Sequence, residues 1–322
     1  MRKIIAKQQE CIFIDDSYYL LFNLPLKYKM VYNIYILGKE NVYDSHYEFD
    51  MQAKDMNRLK DKVIIVTGST SGIGIGIAKL CAKESAYVVI TGRNVERGQK
   101  VVDEITAEGG TAWFHAFDLS DKESMHNLIA DVADKYGHID VLINNAAGMG
   151  MKDGRVDEIS LEEFNTVVAA DLGGTFNMIK EVLPYLLKNE KGGNIINIGS
   201  MASAGGDLGT IAYACAKAGV DKLTEYVACM YGPSGIRCNC VRPGLIVTPQ
   251  NEARIPDALK DVFLSNILGK RYGKPDDIGN LCVYLASDEA EYMNGQILTC
   301  DGGLNSHTPT VAQFRQMSSR TW

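Results

Sequence analysis

The sequence predicts a single doubly wound α/β domain over about residues 59–308, a parallel sheet covered by helices on both faces. Three observations predict it. Short apolar runs alternate with stretches of helical spacing, the pattern of strand–helix–strand units. The runs are nearly continuous in apolar residues, as in Val63-Ile64-Ile65-Val66, which suits strands buried on both sides. The first run is followed at once by a glycine-punctuated turn and a helical stretch.

In chain order, a strand reads over 62–67, then the glycine turn and a helix to about residue 85. A second strand over 87–91 leads into a helix over about 95–108. Further strands read at 112–117, 141–144, 194–198, 237–241 and 296–299, and residues 211–223 have helical spacing. Residues 1–58 hold seven tyrosines but no sustained period and no recognisable motif, and 309–322 form a short tail. Met56 opens a run that reads as the natural start of the domain. Residues 1–55 are therefore either a genuine N-terminal segment packing on the domain or a neighbour, or translated sequence upstream of the start.

Composition narrows the function. Of 322 residues, 46% are hydrophobic and 23% charged, ordinary for a protein with a sizeable core. The net charge of -7 and the lack of a long basic run exclude nucleic acid or an anionic membrane as the main partner. No apolar run approaches the roughly 20 residues that span a bilayer. The apolar stretch at 18–26 follows Asp15 and Asp16 and lacks a small-residue cleavage site, so the expected location is the cytoplasm. The eight cysteines are Cys11, Cys81, Cys215, Cys229, Cys238, Cys240, Cys282 and Cys300. None forms a CxxC pair or a zinc-spaced cluster, so most read as buried thiols of a reducing compartment and no metal site is expected. Cys238 and Cys240 fall on one face of a strand.

The turn Thr67-Gly68-Ser69-Thr70-Ser71-Gly72-Ile73-Gly74 has the needs of a dinucleotide pyrophosphate: a sharp bend at Gly68, close backbone approach at Gly72, and tight helix–strand packing at Gly74. The second strand ends Thr91-Gly92-Arg93-Asn94, with no carboxylate for a ribose 2′-hydroxyl. Arg93 suits a 2′-phosphate, so NADP(H) is favoured over NAD(H). Asp118, followed by Leu119, is placed to meet the adenine amino group. Asn144-Asn145-Ala146-Ala147-Gly148 closes the fourth strand with small residues, where Asn145 and Ala146 lie against the cofactor.

Tyr213 and Lys217 sit four apart on a helix, hence one turn apart on one face, and Ser200 lies thirteen residues upstream, just past a strand. Carbonyl reduction needs a proton donor at oxygen while hydride arrives at carbon. A phenol titrates near pH 10, too high for a good base at neutral pH, and a nearby ammonium favours its anionic form. Ser200 can hold the substrate oxygen in line.

TGSTSGIG, NNAAG, the Ser200/Tyr213/Lys217 set, Pro243-Gly244 with Thr248, and Asp301-Gly302-Gly303 together resemble the short-chain dehydrogenase/reductase family over residues 59–308. The resemblance implies a Rossmann-type sheet of about seven strands, a nicotinamide cofactor and catalysis without a metal. It implies that Ser200 orients substrate, Tyr213 is the acid/base, and Lys217 lowers its pKa and binds the nicotinamide ribose. It also implies that Ile246 and Thr248 contact the carboxamide and pyrophosphate, and that the protein is a homo-oligomer, tetramer or dimer. One departure is Asp171, where the family has an Asn that supports a water-linked relay through Lys217; an Asp could still hold the water through its backbone.

Specificity is expected from loops 149–156, 201–209 and 249–268. Met149, Met151 and Met201 suit an apolar substrate face or ordinary packing. Ile255, Leu259, Val262 and Phe263 read as the apolar face of a lid helix or as core contact. Gly206-Asp207-Leu208 before Ile211-Ala212-Tyr213, Ile236-Arg237-Cys238-Asn239 before Pro243-Gly244-Leu245-Ile246, and Thr308-Pro309 with Phe314 resemble bacterial hydroxysteroid dehydrogenases of bile acids. The expected substrate is a small apolar alcohol or ketone, a hydroxysteroid or bile acid. The alternatives are a 3-oxoacyl thioester and a sugar or polyol. A non-catalytic nucleotide sensor could lose Tyr213 or Lys217, and both are present.

Overall fold

The computed structural model describes residues 57–148, 152–269 and 271–317, with the backbone of five strands between residues 4 and 49. The chain divides into two compact units, Met1–Met56 and Asn57–Trp322. In the first, strands Ile4–Ala6, Gln9–Ile14, Ser17–Leu26, Lys29–Leu37 and Val42–Phe49 pair antiparallel in chain order. No sustained period announced them, because runs such as Leu20-Leu21-Phe22 break the alternation by which a strand is recognised and only Val42–Phe49 keeps it.

The second unit is built on a seven-stranded parallel sheet. Its elements are β1 (Val63–Val66), α1 (Gly72–Lys83), β2 (Tyr87–Gly92), α2 (Val95–Ala107), β3 (Thr111–Ala116), α3 (Lys122–Tyr136) and β4 (Val141–Asn144). There follow α4 (Leu161–Val168), a π turn Ala169–Gly173, α5 (Gly174–Leu186), β5 (Gly193–Ile198), α6 (Ile211–Tyr231) and β6 (Ile236–Pro243). The chain then runs through α7 (Asp257–Asn266), α8 (Pro275–Ala286), β7 (Ile297–Cys300) and α9 (Val311–Met317). The strand order is β7-β6-β5-β4-β1-β2-β3. The chain winds outward from β1 to β3, then restarts beside β1 with β4 and winds the other way. The carboxyl ends of β1 and β4 therefore flank the crevice where ligands bind in such sheets.

The apolar runs are continuous because each face of the sheet has its own core. Ile64 and Val66 pack with Ile77, Cys81, Ile278 and Cys282 of α1 and α8. Val63 and Ile65 pack with Leu128, Val132, Val182 and Val227 of α3, α5 and α6. Helix α6 runs on to Tyr231, well past the expected residue 223. Its polar surface at Lys222 and Glu225 masks a buried stripe that continues through Val220, Thr224, Val227 and Ala228.

Cys81, Cys238, Cys240 and Cys282 are buried as expected, and burial pushes the Cys81 and Cys238 thiols up to about 12. Cys215 and Cys229 are instead exposed, since both point off the sheet-facing stripe of α6. The side chain of Cys11 lies outside the described residues. Cys238 and Cys240 do share a face, both turned toward α6: Asn197 Nδ2 approaches Cys238 Sγ, and Cys240 bonds Asp221. Among the described residues, no helix is long and apolar enough to cross a membrane and no residue cluster could hold a metal ion.

Candidate active site

The turn after β1 is set by backbone geometry. Gly68 has φ +64, and a Cβ there would lie 2.9 Å from Ala146 Cα, so both dihedral and space require glycine. Gly72 has φ +59 with nothing within 4 Å of where a Cβ would stand. At Gly74 a Cβ would meet Gly68 O at 2.5 Å and Asn145 Nδ2 at 2.7 Å, the tight helix–strand contact expected of that position. Ser71 occupies the N-cap of α1 yet makes no side-chain cap bond, which leaves the first amides of the helix, beginning at Gly72 and Ile73, without that partner. Free amides at a helix start beside an open glycine fit a pyrophosphate.

The hydroxyl and amide side chains around this turn hold it in shape. Ser69 Oγ donates to Val66 O at 2.7 Å and accepts from Thr91 N at 2.9 Å, tying the turn to β2. Asn145 Nδ2 donates to Thr67 O and Gly68 O at 2.9 and 3.1 Å. Thr67 Oγ1 accepts the amides of Asn145 and Ala146. Nothing local marks Thr67 for this role, because the bonds join segments 78 residues apart.

Beyond the turn, Thr70 Oγ1 would stand 2.7 Å from a Cβ at Gly92, so Thr70 fills the place where an acidic side chain would sit. Arg93 is exposed and directly precedes Asn94, the N-cap of α2. Asp118 accepts from Ser120 N and Ser120 Oγ, and these bonds, with the nearby Arg93 charge, hold its carboxyl below the ordinary carboxylate range. Leu119 packs against the start of α5, 2.7 Å from where a Gly174 Cβ would stand.

Strand β5 delivers Ser200 to the carboxyl edge, where it caps a short turn and its Oγ accepts from Ala202 N at 3.2 Å. Tyr213 is the third residue of α6. Lys217, one turn on and only 3% exposed, donates from Nζ to Ile198 O at 3.0 Å and lies 5.7 Å from the Tyr213 ring centroid. The structure thus brings Tyr213 and Lys217 together and ties Lys217 to the strand end that carries Ser200. Further along the same helix face, Asp221 accepts from Arg242 Nη2 and Nε at 2.7 and 3.0 Å and from Cys240 Sγ at 3.2 Å. Thr224 Oγ1 accepts from Asn197 Nδ2 at 2.9 Å, and Asn197 Oδ1 accepts from Asn144 Nδ2 at 2.9 Å. Lys217, Asp221 and Thr224 form a polar stripe at helical spacing, all facing the sheet. That spacing is visible in the sequence, and it is the signal by which Asp221 and Thr224 could have been found.

Asp171 lies in the π turn, 1% exposed. Its Oδ1 accepts from Gly148 N at 2.5 Å, its backbone carbonyl accepts from Thr175 Oγ1 at 2.7 Å, and its Oδ2 has no partner among the described residues. Across the cleft, Pro243 ends β6, and a Cβ at Gly244 would stand 2.6 Å from Asp301 Cα. Asn251 fixes the following loop by donating to Ile246 O and accepting from Thr248 N.

On the substrate side, Met149 and Met151 lie outside the described residues, and Met201 is half-buried. Of the four residues read as one apolar face, Ile255 precedes α7, while Leu259 and Val262 are 45% and 59% exposed. Helix α7 has no fully buried residue: Ile255 and Phe263 are half-buried, and Leu259 and Val262 are left exposed.

A parallel sheet with this switch point, an open glycine turn at a helix start and a Ser/Tyr/Lys set at the carboxyl edge define a nucleotide-dependent oxidoreductase of the doubly wound class. A family model described as "Enoyl-(Acyl carrier protein) reductase" matches residues 68–305. The 7alpha-hydroxysteroid dehydrogenase of Clostridium sardiniense is 35% identical over 260 residues, 80% of this chain and 99% of that protein. The 3-oxoacyl-[acyl-carrier-protein] reductase of Thermotoga maritima is also 35% identical, over 77% of this chain and 99% of that protein. A solved 7α-hydroxysteroid dehydrogenase, complexed with NADH and 7-oxo glycochenodeoxycholic acid, aligns with a TM-score of 0.73 and 32% identity over 77% of this chain and 96% of that one. The chain belongs to the short-chain dehydrogenase/reductase family and is an NAD(P)-dependent enzyme acting on CH-OH groups.

Proposed function

We propose that the enzyme transfers a hydride between NADP(H) and a secondary alcohol or its ketone, and that the substrate is a hydroxysteroid of the bile-acid type. The observation that carries the reaction is the Ser200/Tyr213/Lys217 set gathered where β5 and α6 meet at the carboxyl edge. A bound nicotinamide dinucleotide supplies or accepts the hydride. The amides at the start of α1 and the open backbone at Gly72 hold its pyrophosphate, and Asp118 meets the adenine. Ser200 Oγ donates to the substrate oxygen, and Tyr213 passes its phenolic proton to that oxygen in reduction and recovers it in oxidation. The Lys217 ammonium stabilises negative charge on the Tyr213 oxygen, and with one donor on Ile198 O it keeps others for the cofactor's ribose.

The steroid reading draws on the exposed apolar side chains Leu259 and Val262 of α7 and on Leu208, which stands 94% exposed in the loop before α6. An acyl-carrier substrate needs free basic residues at the rim. The loops offer only Lys152, Arg155, Arg254 and Lys260; Lys152 pairs with Glu163, Arg155 with Asp157 and Lys260 with Asp257, and the side chain of Arg254 lies outside the described residues. Purified protein with NADPH or NADH is expected to reduce oxo-bile acids, followed by loss of reduced-cofactor absorbance. Turnover of a 3-oxoacyl thioester or a keto-sugar, with none on any steroid ketone, would overturn the substrate while leaving the family unchanged.

The NADP(H) preference rests on Thr70 filling the acidic position and on Arg93 standing beside the positive end of α2. Arg93→Leu is expected to lower kcat/KM for NADPH by about tenfold to a hundredfold, the worth of a charge-assisted hydrogen bond, with NADH little affected. An equal loss with both cofactors would sink this assignment. We place the enzyme in the cytoplasm as a homo-oligomer associating through the outer faces of α5 and α6, where Phe176, Tyr226 and Met230 are exposed. Light scattering on purified protein is expected to give a multiple of 35.4 kDa, and a monomer would refute it.

A further inference from the structure

We infer that Asp153 is a positioning residue that sets the acid/base through the backbone of Tyr213; the inference rests on the reading of Tyr213 given above. Helices expose four unpaired amides at their start, and a side chain at the N-cap ordinarily takes the second or third. Thr210 is the N-cap of α6 but makes no such bond, because its hydroxyl donates to Asp207, whose carboxylate also accepts the amides of Gly209 and Thr210. The second and third amides of α6 go instead to a residue 59 and 60 positions earlier in the chain. Ala212 N donates to Asp153 Oδ1 at 3.1 Å and Tyr213 N to Asp153 Oδ2 at 2.8 Å, so each oxygen of the carboxylate holds one amide. Gly154 N donates to Oδ1 at 2.8 Å, which fixes the carboxylate's own orientation.

The charges around Asp153 are committed elsewhere. Lys152 pairs with Glu163, and Arg155 with Asp157. Among the described residues Asp153 has no cationic partner, and apart from the neighbouring Gly154 amide its carboxylate is given to the helix start. Asp153 therefore references the Tyr213 backbone to the loop before α4, while Lys217 references the same helix to β5 through Ile198 O. Two ties one turn apart, one from the loop at Asp153 and one from the end of β5, fix both the height and the rotation of the helix end that carries the phenol. A misplacement of a reacting group by about 1 Å costs on the order of a hundredfold in rate, so the loss of one tie should be read in kcat.

The test compares the parent enzyme with Asp153→Ala, Asp153→Asn and Asp153→Ala/Thr210→Asp. For each, kcat and KM, thermal midpoint and hydrogen exchange of the amides at 211–215 are measured. Asp153→Ala is expected to lower kcat about tenfold to a hundredfold with KM for the cofactor within about twofold, and to speed exchange at Ala212 and Tyr213. Asp153→Asn, which keeps one acceptor oxygen, should fall between parent and Asp153→Ala, and it serves where the alanine variant does not fold. Thr210→Asp supplies a local cap and should recover the thermal midpoint without recovering kcat. Unchanged kcat in Asp153→Ala, or full recovery of kcat by Thr210→Asp, would reduce Asp153 to an ordinary cap and overturn the inference. If the parent turns over no alcohol or ketone, the functional reading fails, while the exchange rates still decide whether Asp153 holds the helix start. Unchanged exchange would refute the tie whatever the activity.

Discussion

Tyr213→Phe is expected to lower kcat by about 10²- to 10⁴-fold, the range for removing a positioned general acid/base, while the protein stays folded. The change deletes one oxygen from a ring that keeps its place on α6. Among the described residues the Tyr213 hydroxyl makes no hydrogen bond, so its removal orphans no partner and the thermal midpoint should hold. Its backbone amide stays on Asp153, and Lys217 stays on Ile198 O, so the cofactor side of the site is untouched. Cofactor KM should therefore change little, and the whole loss should fall on the chemical step. The check is kcat, KM and thermal midpoint of the variant beside an active parent. Equal turnover would remove Tyr213 from the mechanism. A collapsed midpoint would instead show that the phenol supports the fold and leave its chemical role to a second variant. Ser200→Ala should cost less, since it removes an orienting hydrogen bond while the proton donor remains.

Most of the fold was legible because its signals are local. The continuous apolar runs, the glycine turn between a run and a helical stretch, and the small residues after Val141–Asn144 each reflect forces acting within about ten residues, and the sheet follows from their order. The pairing of Tyr213 with Lys217 was legible because the two share one helix turn. What stayed hidden depends on contacts distant in sequence. Asn145 and Thr67 staple the phosphate turn rather than standing free at its mouth, and only the parallel pairing of β1 with β4 brings them together. Asp153 looks like any loop carboxylate until the start of α6 is placed against it. Leu259 and Val262 have the spacing of a buried face, yet spacing cannot say whether anything covers that face. Asp171 was visible as a departure from the family's residue, but its bond to Gly148 N and its unpartnered second oxygen appear only when α4 and α5 are joined by a π turn rather than one regular helix. The strands before residue 50 were missed for a different reason: continuous apolar runs such as Leu20-Leu21-Phe22 break the alternation in the longest of them, and the alternation of Tyr43, Tyr47 and Phe49 with Asp44, His46 and Glu48 is confined to one short stretch.

Asp221→Ala is expected to destabilise the protein by about 3 kcal/mol, the low end of the range for removing one partner of a buried ion pair. The low end applies because the Arg242 side chain keeps 22% of its exposure and recovers some hydration, whereas that of Asp221 is 8% exposed. Loss of the carboxylate strands the guanidinium of Arg242 and frees Cys240 Sγ from its acceptor, both on the strand that leads to Pro243 and Gly244. A double change, Asp221→Leu with Arg242→Met, should cost much less than Asp221→Ala alone, because matched apolar side chains replace a buried pair at little net cost while an uncompensated charge does not. Denaturant unfolding of the parent and both variants makes the comparison. If Asp221→Ala shifts stability by less than about 1 kcal/mol, the pair behaves as a surface ion pair and α6 is held by packing alone. If the double change is as costly as the single one, the pair supplies net stability beyond satisfying its own charges. Activity separates the two roles further. Helix α6 keeps its ties at Lys217 and Thr224 in either variant, so folded Asp221→Ala should retain turnover within about tenfold of the parent, a far smaller loss than Tyr213→Phe. A larger loss in folded protein would place Asp221 in the electrostatics of Lys217, four residues away on the same helix face, and not only in the attachment of the helix to the sheet.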